Sequence, residues 1–204
     1  MSDIPIDLVI PVYNEGEKII KLFNEFQNSI KTKYRVLLCY DSEDDNIFDY
    51  KNEFEKYKFE IKLLKNLNKG PSSAAIKGMH YGGSECVIVY PADDFLNSKI
   101  IDEMYKSFKE GSDIVVASRF MKGGSMKGCP FLKSILVRAA SATLYFLSSI
   151  PVQDASNGFR LFSRRLITTI NIESKVHFAF SLEMLVKCHR LKLKISEIKK
   201  MQSP

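Results

Sequence analysis

The stretch Ile6-Asp7-Leu8-Val9-Ile10-Pro11-Val12-Tyr13-Asn14-Glu15 decides how the rest of the chain is read. Its first five residues are nearly all apolar, which reads as a buried strand. A polar turn follows, and Asn14 is predicted to cap a helix with Glu17 as its capping-box partner. Ile19, Ile20, Leu22, Phe23 and Phe26 then supply one apolar helical face. The pattern repeats outward from there. Strands are predicted at Val36–Tyr40, Glu60–Leu64, Cys86–Tyr90 and Ile114–Ala117, with helices in the gaps on either side of Glu60–Leu64, the later one from the Gly70-Pro71 turn to about Tyr81, and around Ile100–Phe108. Such alternation defines an α/β protein with a mostly parallel central sheet flanked by helices. Sheets of that kind bind ligands at the carboxyl ends of their strands, so the residues just after each strand are where chemistry is expected.

The chain has 204 residues, 45% hydrophobic and 26% charged, which fits a single domain spanning 1–204 with one substantial core. Cys39, Cys86, Cys129 and Cys188 are far apart and form no paired motif, arguing against a zinc site or a disulfide framework. The start, Met1-Ser2-Asp3-Ile4-Pro5, shows neither secretory signal nor transit peptide, and a cytoplasmic location is expected. Of the 30 basic residues 13 precede residue 101, against 16 of the 24 acidic ones, so the net charge of +6 resides in the second half. That asymmetry suits an anionic partner such as a phosphorylated substrate or an anionic membrane surface. No RNA-binding signature accompanies it, and nucleic acid is not expected as a partner. Met121–Pro130 reads as a glycine-containing active-site loop. The Phe131–Val152 stretch is dominated by apolar and small residues, and its uncharged part, Ala139–Val152, is 14 residues long. That is short of the roughly 18 to 20 needed to cross a bilayer, which leaves a core helix or an interfacial helix open.

Three segments that follow predicted strands carry unusual polarity: Pro11–Glu15, Asp41-Ser42-Glu43-Asp44-Asp45, and Pro91-Ala92-Asp93-Asp94. Carboxylates gathered on one sheet edge repel one another unless a cation or a set of donors neutralises them. A Mg²⁺ or Mn²⁺ ion holding a diphosphate is one way to do so. Plain turn formation and helix capping by Asp and Glu is another.

Taken in order, these segments resemble glycosyltransferase family 2. Pro11, Tyr13, Asn14 and Glu15 match its opening proline-x-tyrosine-asparagine-glutamate. Tyr40 and Asp41 stand at its second-strand carboxylates, and Lys69-Gly70-Pro71-Ser72-Ser73-Ala74-Ala75 at its glycine turn and alanine-rich helix. Ala92-Asp93-Asp94 stands at its metal motif. Ala117-Ser118-Arg119-Phe120-Met121-Lys122-Gly123-Gly124 and Asp154-Ala155-Ser156-Asn157-Gly158-Phe159-Arg160-Leu161-Phe162 are similar to segments of its polyprenyl-phosphate glycosyltransferases, the dolichyl-phosphate mannosyltransferases among them.

The resemblance implies the family's GT-A fold and an inverting transfer of a sugar from a UDP- or GDP-sugar to a polyprenyl phosphate, with Mg²⁺ or Mn²⁺ as cofactor. It implies that Pro11, Tyr13, Glu15, Asp41, Gly70 and Asp93 bind the nucleotide sugar. Asp94, helped by Asp93, would meet the metal, Arg119 and Lys133 would face the acceptor phosphate, and Asp94, Asp154 and Arg119 would form the catalytic group. Peripheral contact with the cytoplasmic face of a membrane would accompany a lipid acceptor. Two departures stand out: Tyr40 and Ala92 occupy positions where the family has aspartates. The family also continues beyond the equivalent of Pro204 into a basic segment, so truncation at the C-terminus is expected. Two further readings stay open: transfer to a glycan hydroxyl with Asp154 as base, and a catalytically impaired nucleotide-sugar-binding module. His80, His177 and His189 match no motif.

Overall fold

Apolar runs become strands here because both faces of the sheet are covered. The computed structural model describes residues 3–121, 150–174 and 179–201, together with Ala139 and Thr143. In β1 (Ile6–Pro11), Leu8 and Ile10 pack on one face against Ile19, Leu22, Phe23 and Phe26 of α1 (Gly16–Ser29). Val9 points to the other face, against Ala74, Ala75 and Met79 of α2 (Pro71–Tyr81). The same two-residue alternation divides β2 (Tyr34–Tyr40) and β4 (Cys86–Val89) between the two cores. Each fully buried Phe or Leu of these layers contributes about 1.5–3 kcal/mol. α2 lies so close to β1 that a Cβ on Gly78 would collide with Val9 and Cys39.

With β3 (Glu60–Lys65), β5 (Ile114–Ser118), β6 (Arg160–Ser163) and β7 (Ile195–Lys199), the seven strands are ordered β3-β2-β1-β4-β6-β5-β7. Pairings are parallel except for those of β6, which runs against both β4 and β5. The mostly parallel sheet expected from the sequence is therefore present, with one inserted antiparallel strand. That strand carries Arg160, whose fully buried guanidinium donates to the carbonyls of Ala155 and Ser181. It thereby ties the loop before β6 to the helix Ala179–Arg190. Burial lowers the Arg160 pKa to about 10.

Two local expectations need correction. Asn14 is not the cap of α1: Glu15 occupies that position without a side-chain capping bond, and Asn14 takes a left-handed φ of 54°. Its side chain instead accepts from Asn46 N at 3.2 Å while its own N–H donates to Asp45 at 3.0 Å, so it joins two loops. Between β2 and β3 the chain forms 3-10 turns over Asn46–Lys56, opened by Asp45 accepting from Ile47 N, in place of an α-helix. The aromatic rings of Phe54, Tyr57 and Phe59 meet Phe23 edge-on at 5.2–5.6 Å and seal this side of the core. The helix α3 (Ile101–Lys109) falls where it was expected.

Candidate active site

β1, β2 and β4 run parallel in register, so the segments that follow them come out on one edge of the sheet. There they enclose a cleft of about 670 Å³. All six residues expected to bind the nucleotide sugar, Pro11, Tyr13, Glu15, Asp41, Gly70 and Asp93, line it. The opposite wall comes from Ser156, Asn157, Gly158 and Phe159. Tyr13 is 74% exposed, with its ring available to a flat ligand.

The acidic side chains here have different fates. Asp41 accepts from Gly70 N and from Asn66 Nδ2, both at 2.6 Å, and so pins the turn that opens α2. Glycine suits this turn because its φ of +93° is a conformation that side chains disfavour. Asp45 is a cap, Glu43 pairs with Lys65 at 3.0 Å, and Asp44 accepts from Ser42, so turn-building accounts for most of the acidity after β2. Glu15 pairs with Lys18 at 2.6 Å. The bond and charge of Glu15, and then the charge of Asp93, raise the pKa of Lys18.

Asp93 is exposed on the cleft wall, whereas Asp94 is 2% exposed and does not line it. The Asp94 carboxylate caps Leu96 N and Asn97 N at 3.2 Å, accepts from Asn97 Nδ2 at 2.7 Å, and meets Lys200 Nζ at 2.8 Å. Asp94, expected to lead a metal site, is thus engaged by donors from inside the protein. Among the described residues no group of three or more His, Cys, Asp or Glu could cage a metal ion. The donor set in the cleft fits a divalent ion held by one carboxylate, Asp93, with phosphate oxygens of a ligand completing its shell.

Arg119 and Asp154 form the frame of the far wall and do not line the cleft themselves. Asp154 is fully buried and takes a bidentate pair from Arg119 at 2.7 and 2.8 Å, plus the Arg119 backbone N–H at 3.0 Å. Arg119 also donates to Ser156 at 2.9 Å. Burial pushes the Asp154 carboxyl up, but Arg119 and Ser156 outweigh it and hold it below its ordinary 3.8. On β7, Glu197 accepts from Gln153 N at 2.8 Å and Asp154 N at 3.0 Å, fixing the loop from behind. Lys133 lies outside the described residues, as do Lys122–Pro130 of the expected glycine loop, most of Phe131–Val152, Cys129 and His177. Cys39, Cys86 and Cys188 are buried free thiols, consistent with core packing.

Sequence reasoning missed Asn66, Asn97, Glu197 and Lys200. Asn66 had a local signal, since it directly follows β3, four residues before the Gly70 whose carbonyl it reaches. Glu197 and Lys200 had none, because their partners are distant in sequence, and the local bond of Asn97 to Asp94 gave no hint of its second partner, Met201.

A mostly parallel sheet with a cleft across its carboxyl edge is the architecture of α/β proteins that bind ligands at the ends of their strands. The family model of glycosyl transferase family 2 matches residues 7–170. The chain belongs to that family. A dolichol-phosphate mannosyltransferase of Pyrococcus furiosus is 25% identical over 188 residues, covering 89% of this chain and 52% of that protein. The UDP-N-acetylglucosamine–dolichyl-phosphate N-acetylglucosaminyltransferase of Methanococcus voltae is 23% identical and covers 97% of this chain and 85% of that one. The chain spans about half the length of several curated relatives it matches. Among solved structures, glucosyl-3-phosphoglycerate synthase from Mycobacterium tuberculosis, crystallised with Mn²⁺, UDP and glucosyl-3-phosphoglycerate, superposes with a TM-score of 0.73 at 16% identity. It covers 99% of this chain and 74% of its own, and establishes the shared GT-A fold.

Proposed function

We propose that this chain catalyses transfer of a sugar, with inversion, from a nucleoside diphosphate sugar to a polyprenyl phosphate. The observation that carries the donor half is the cleft itself, where Tyr13, Glu15, Gly70 and Asp93 converge at the carboxyl edge. Tyr13 offers a face to the base. The amino end of α2, which Asp41 anchors through Gly70, presents backbone N–H groups and a partial positive charge suited to a diphosphate. Asp93 would hold a divalent ion, which when bound neutralises charge on the departing diphosphate. The relatives named for dolichyl phosphate and the neighbour crystallised with UDP and Mn²⁺ support this reading.

The acceptor half rests on Asp154. A glycan hydroxyl needs a carboxylate or other base to take its proton, and Asp154 is engaged by Arg119 and held in its weakly basic, ionised form. A phosphate acceptor is already an anion and needs no such base. Its oxygen forms the new bond to the anomeric carbon as the bond to the diphosphate oxygen breaks on the opposite side. Arg119, with Lys133, would face that phosphate, and a lipid tail would bring the enzyme to a membrane surface. No helix among the described residues is long and apolar enough to cross a membrane.

The test is a transfer assay of the full chain with UDP- and GDP-sugars, Mn²⁺ or Mg²⁺, and either a short-chain polyprenyl phosphate or free glycans, the product's anomeric configuration being read by NMR. Inverted lipid-linked product is expected. Transfer to glycans alone, or retention of configuration, overturns the proposal.

A further inference from the structure

Asp93 and Asp94 are adjacent, yet one faces the cleft and the other is buried. Local geometry accounts for part of this, because Asp94 caps the turn at Leu96 and Asn97. The rest comes from over a hundred residues away. Lys200, just past β7, reaches Asp94 Oδ2 at 2.8 Å with a side chain only 10% exposed. Its backbone N–H donates to Ser118 O at 2.7 Å, and its ammonium lies 5.3 Å from the ring of Phe159 on the far wall of the cleft. Next to it, Met201 N donates to Asn97 Oδ1 at 2.8 Å, and Met201 O accepts from Asn97 Nδ2 at 2.5 Å. Residues 200–201 thus clip the turn bearing Asp93 to the ends of β5 and β7.

Burying an ion pair is a poor way to gain stability, since desolvation offsets most of the attraction. What the pair does set is orientation. Without Lys200, the Asp94 carboxylate would lose its countercharge and be drawn toward water, and the turn that it shares with Asp93 borders the cleft. Two adjacent carboxylates would then compete for one cation and repel a diphosphate.

We infer that Lys200 is a positioning residue of the donor site: by holding Asp94 inward, with Asn97 locking the segment in place, it leaves Asp93 as the single carboxylate of that turn facing the cation and diphosphate. This rests on the reading above that Asp93 meets the metal-bound diphosphate. Displacing residues 200–201 should therefore loosen donor binding even though neither residue lines the cleft.

The experiment is calorimetric titration of UDP in the presence of Mn²⁺, with electron paramagnetic resonance counting bound Mn²⁺, on the full chain. Lys200→Met should weaken Mn²⁺·UDP binding about tenfold, the low end of the loss that follows when the surroundings of a metal ligand are disturbed. In the transfer assay it should raise KM for the donor and leave KM for the acceptor unchanged. The double variant Asp94→Asn, Lys200→Met removes both buried charges and should recover affinity to within about threefold of the parent. If Lys200→Met binds Mn²⁺·UDP like the parent while Asp93→Asn does not, the inference is wrong and the donor-site reading survives. If Asp93→Asn also binds like the parent, the donor-site reading fails. Should Lys200→Met fail to fold in thermal denaturation, Asn97→Ser, which releases Met201 but keeps both charges, is measured in its place. The same tenfold loss is expected of it, and unchanged affinity overturns the inference.

Discussion

The two ends of one sheet treat their acids in opposite ways. At the amino edge Asp7 is fully buried, and every approach to it is filled by the protein. Arg35, its register partner across β2, donates from Nε at 2.9 Å and pairs at 2.7 Å, Ser84 Oγ donates at 2.6 Å, and Arg164 stands at 3.5 Å. A Cβ on Gly82 would collide with this carboxylate, so even the neighbouring backbone is shaped around it. At the carboxyl edge Asp93 stands exposed in a cleft. An acid supplied with internal donors holds the fold together, whereas one left facing a concavity is available to a ligand. Asp154 and Asp94 show that position on the sheet is not sufficient: both lie at the carboxyl edge, yet both are paired internally like Asp7.

The largest expected effect is at the amino edge. Asp7→Ala leaves Arg35 and Arg164 without their common partner and should cost about 3–5 kcal/mol of stability in urea denaturation. The folded fraction should bind Mn²⁺·UDP as the parent does, and weakened binding at unchanged stability would break the contrast. Next comes the mirror case. Asp93→Asn should lower Mn²⁺·UDP affinity in calorimetry by about 10- to 100-fold, with stability altered by no more than about 0.5 kcal/mol. Asp41 lies between the extremes, lining the cleft while bonding the Gly70 turn. Asp41→Ala should cost about 1–2 kcal/mol of stability, measured by denaturation, and should reduce nucleotide affinity without changing its dependence on Mn²⁺.

The smallest effect is one of pH. Arg119 holds Asp154 below its ordinary 3.8, so its contribution to stability is complete above that value and is lost as the pH falls through the lower folded-state pKa. Asp154→Asn should flatten the acid limb of a stability-against-pH curve and leave the neutral region shifted but parallel. An unchanged acid limb would place Asp154 among ligand-facing acids instead.

The central strands were legible from the sequence because a strand buried on both faces must be apolar at nearly every position, as β1, β2, β4 and β5 are. The expected α2 was also marked locally, by Pro71 at its first turn and the Gly70 turn before it. β6 left no such signal. It is four residues long, it contains a buried arginine, and the carbonyls that accept from that arginine lie outside the strand. Asn14 misled for a related reason, since the loop around Asp45 and Asn46 claims the side chain that would otherwise cap α1.

The sequence by itself determined the α/β class, the edge of the sheet where the site lies, and the family, because strand burial and post-strand motifs are local properties of the chain. Only the tertiary structure decided which acid does what. Asp93 and Asp94 carry the same side chain one residue apart, and their division into cleft and interior depends on Asn97 and Lys200. Lys200 reaches that turn only because β7 is laid beside β5 at the far end of the sheet, and no local pattern encodes that contact.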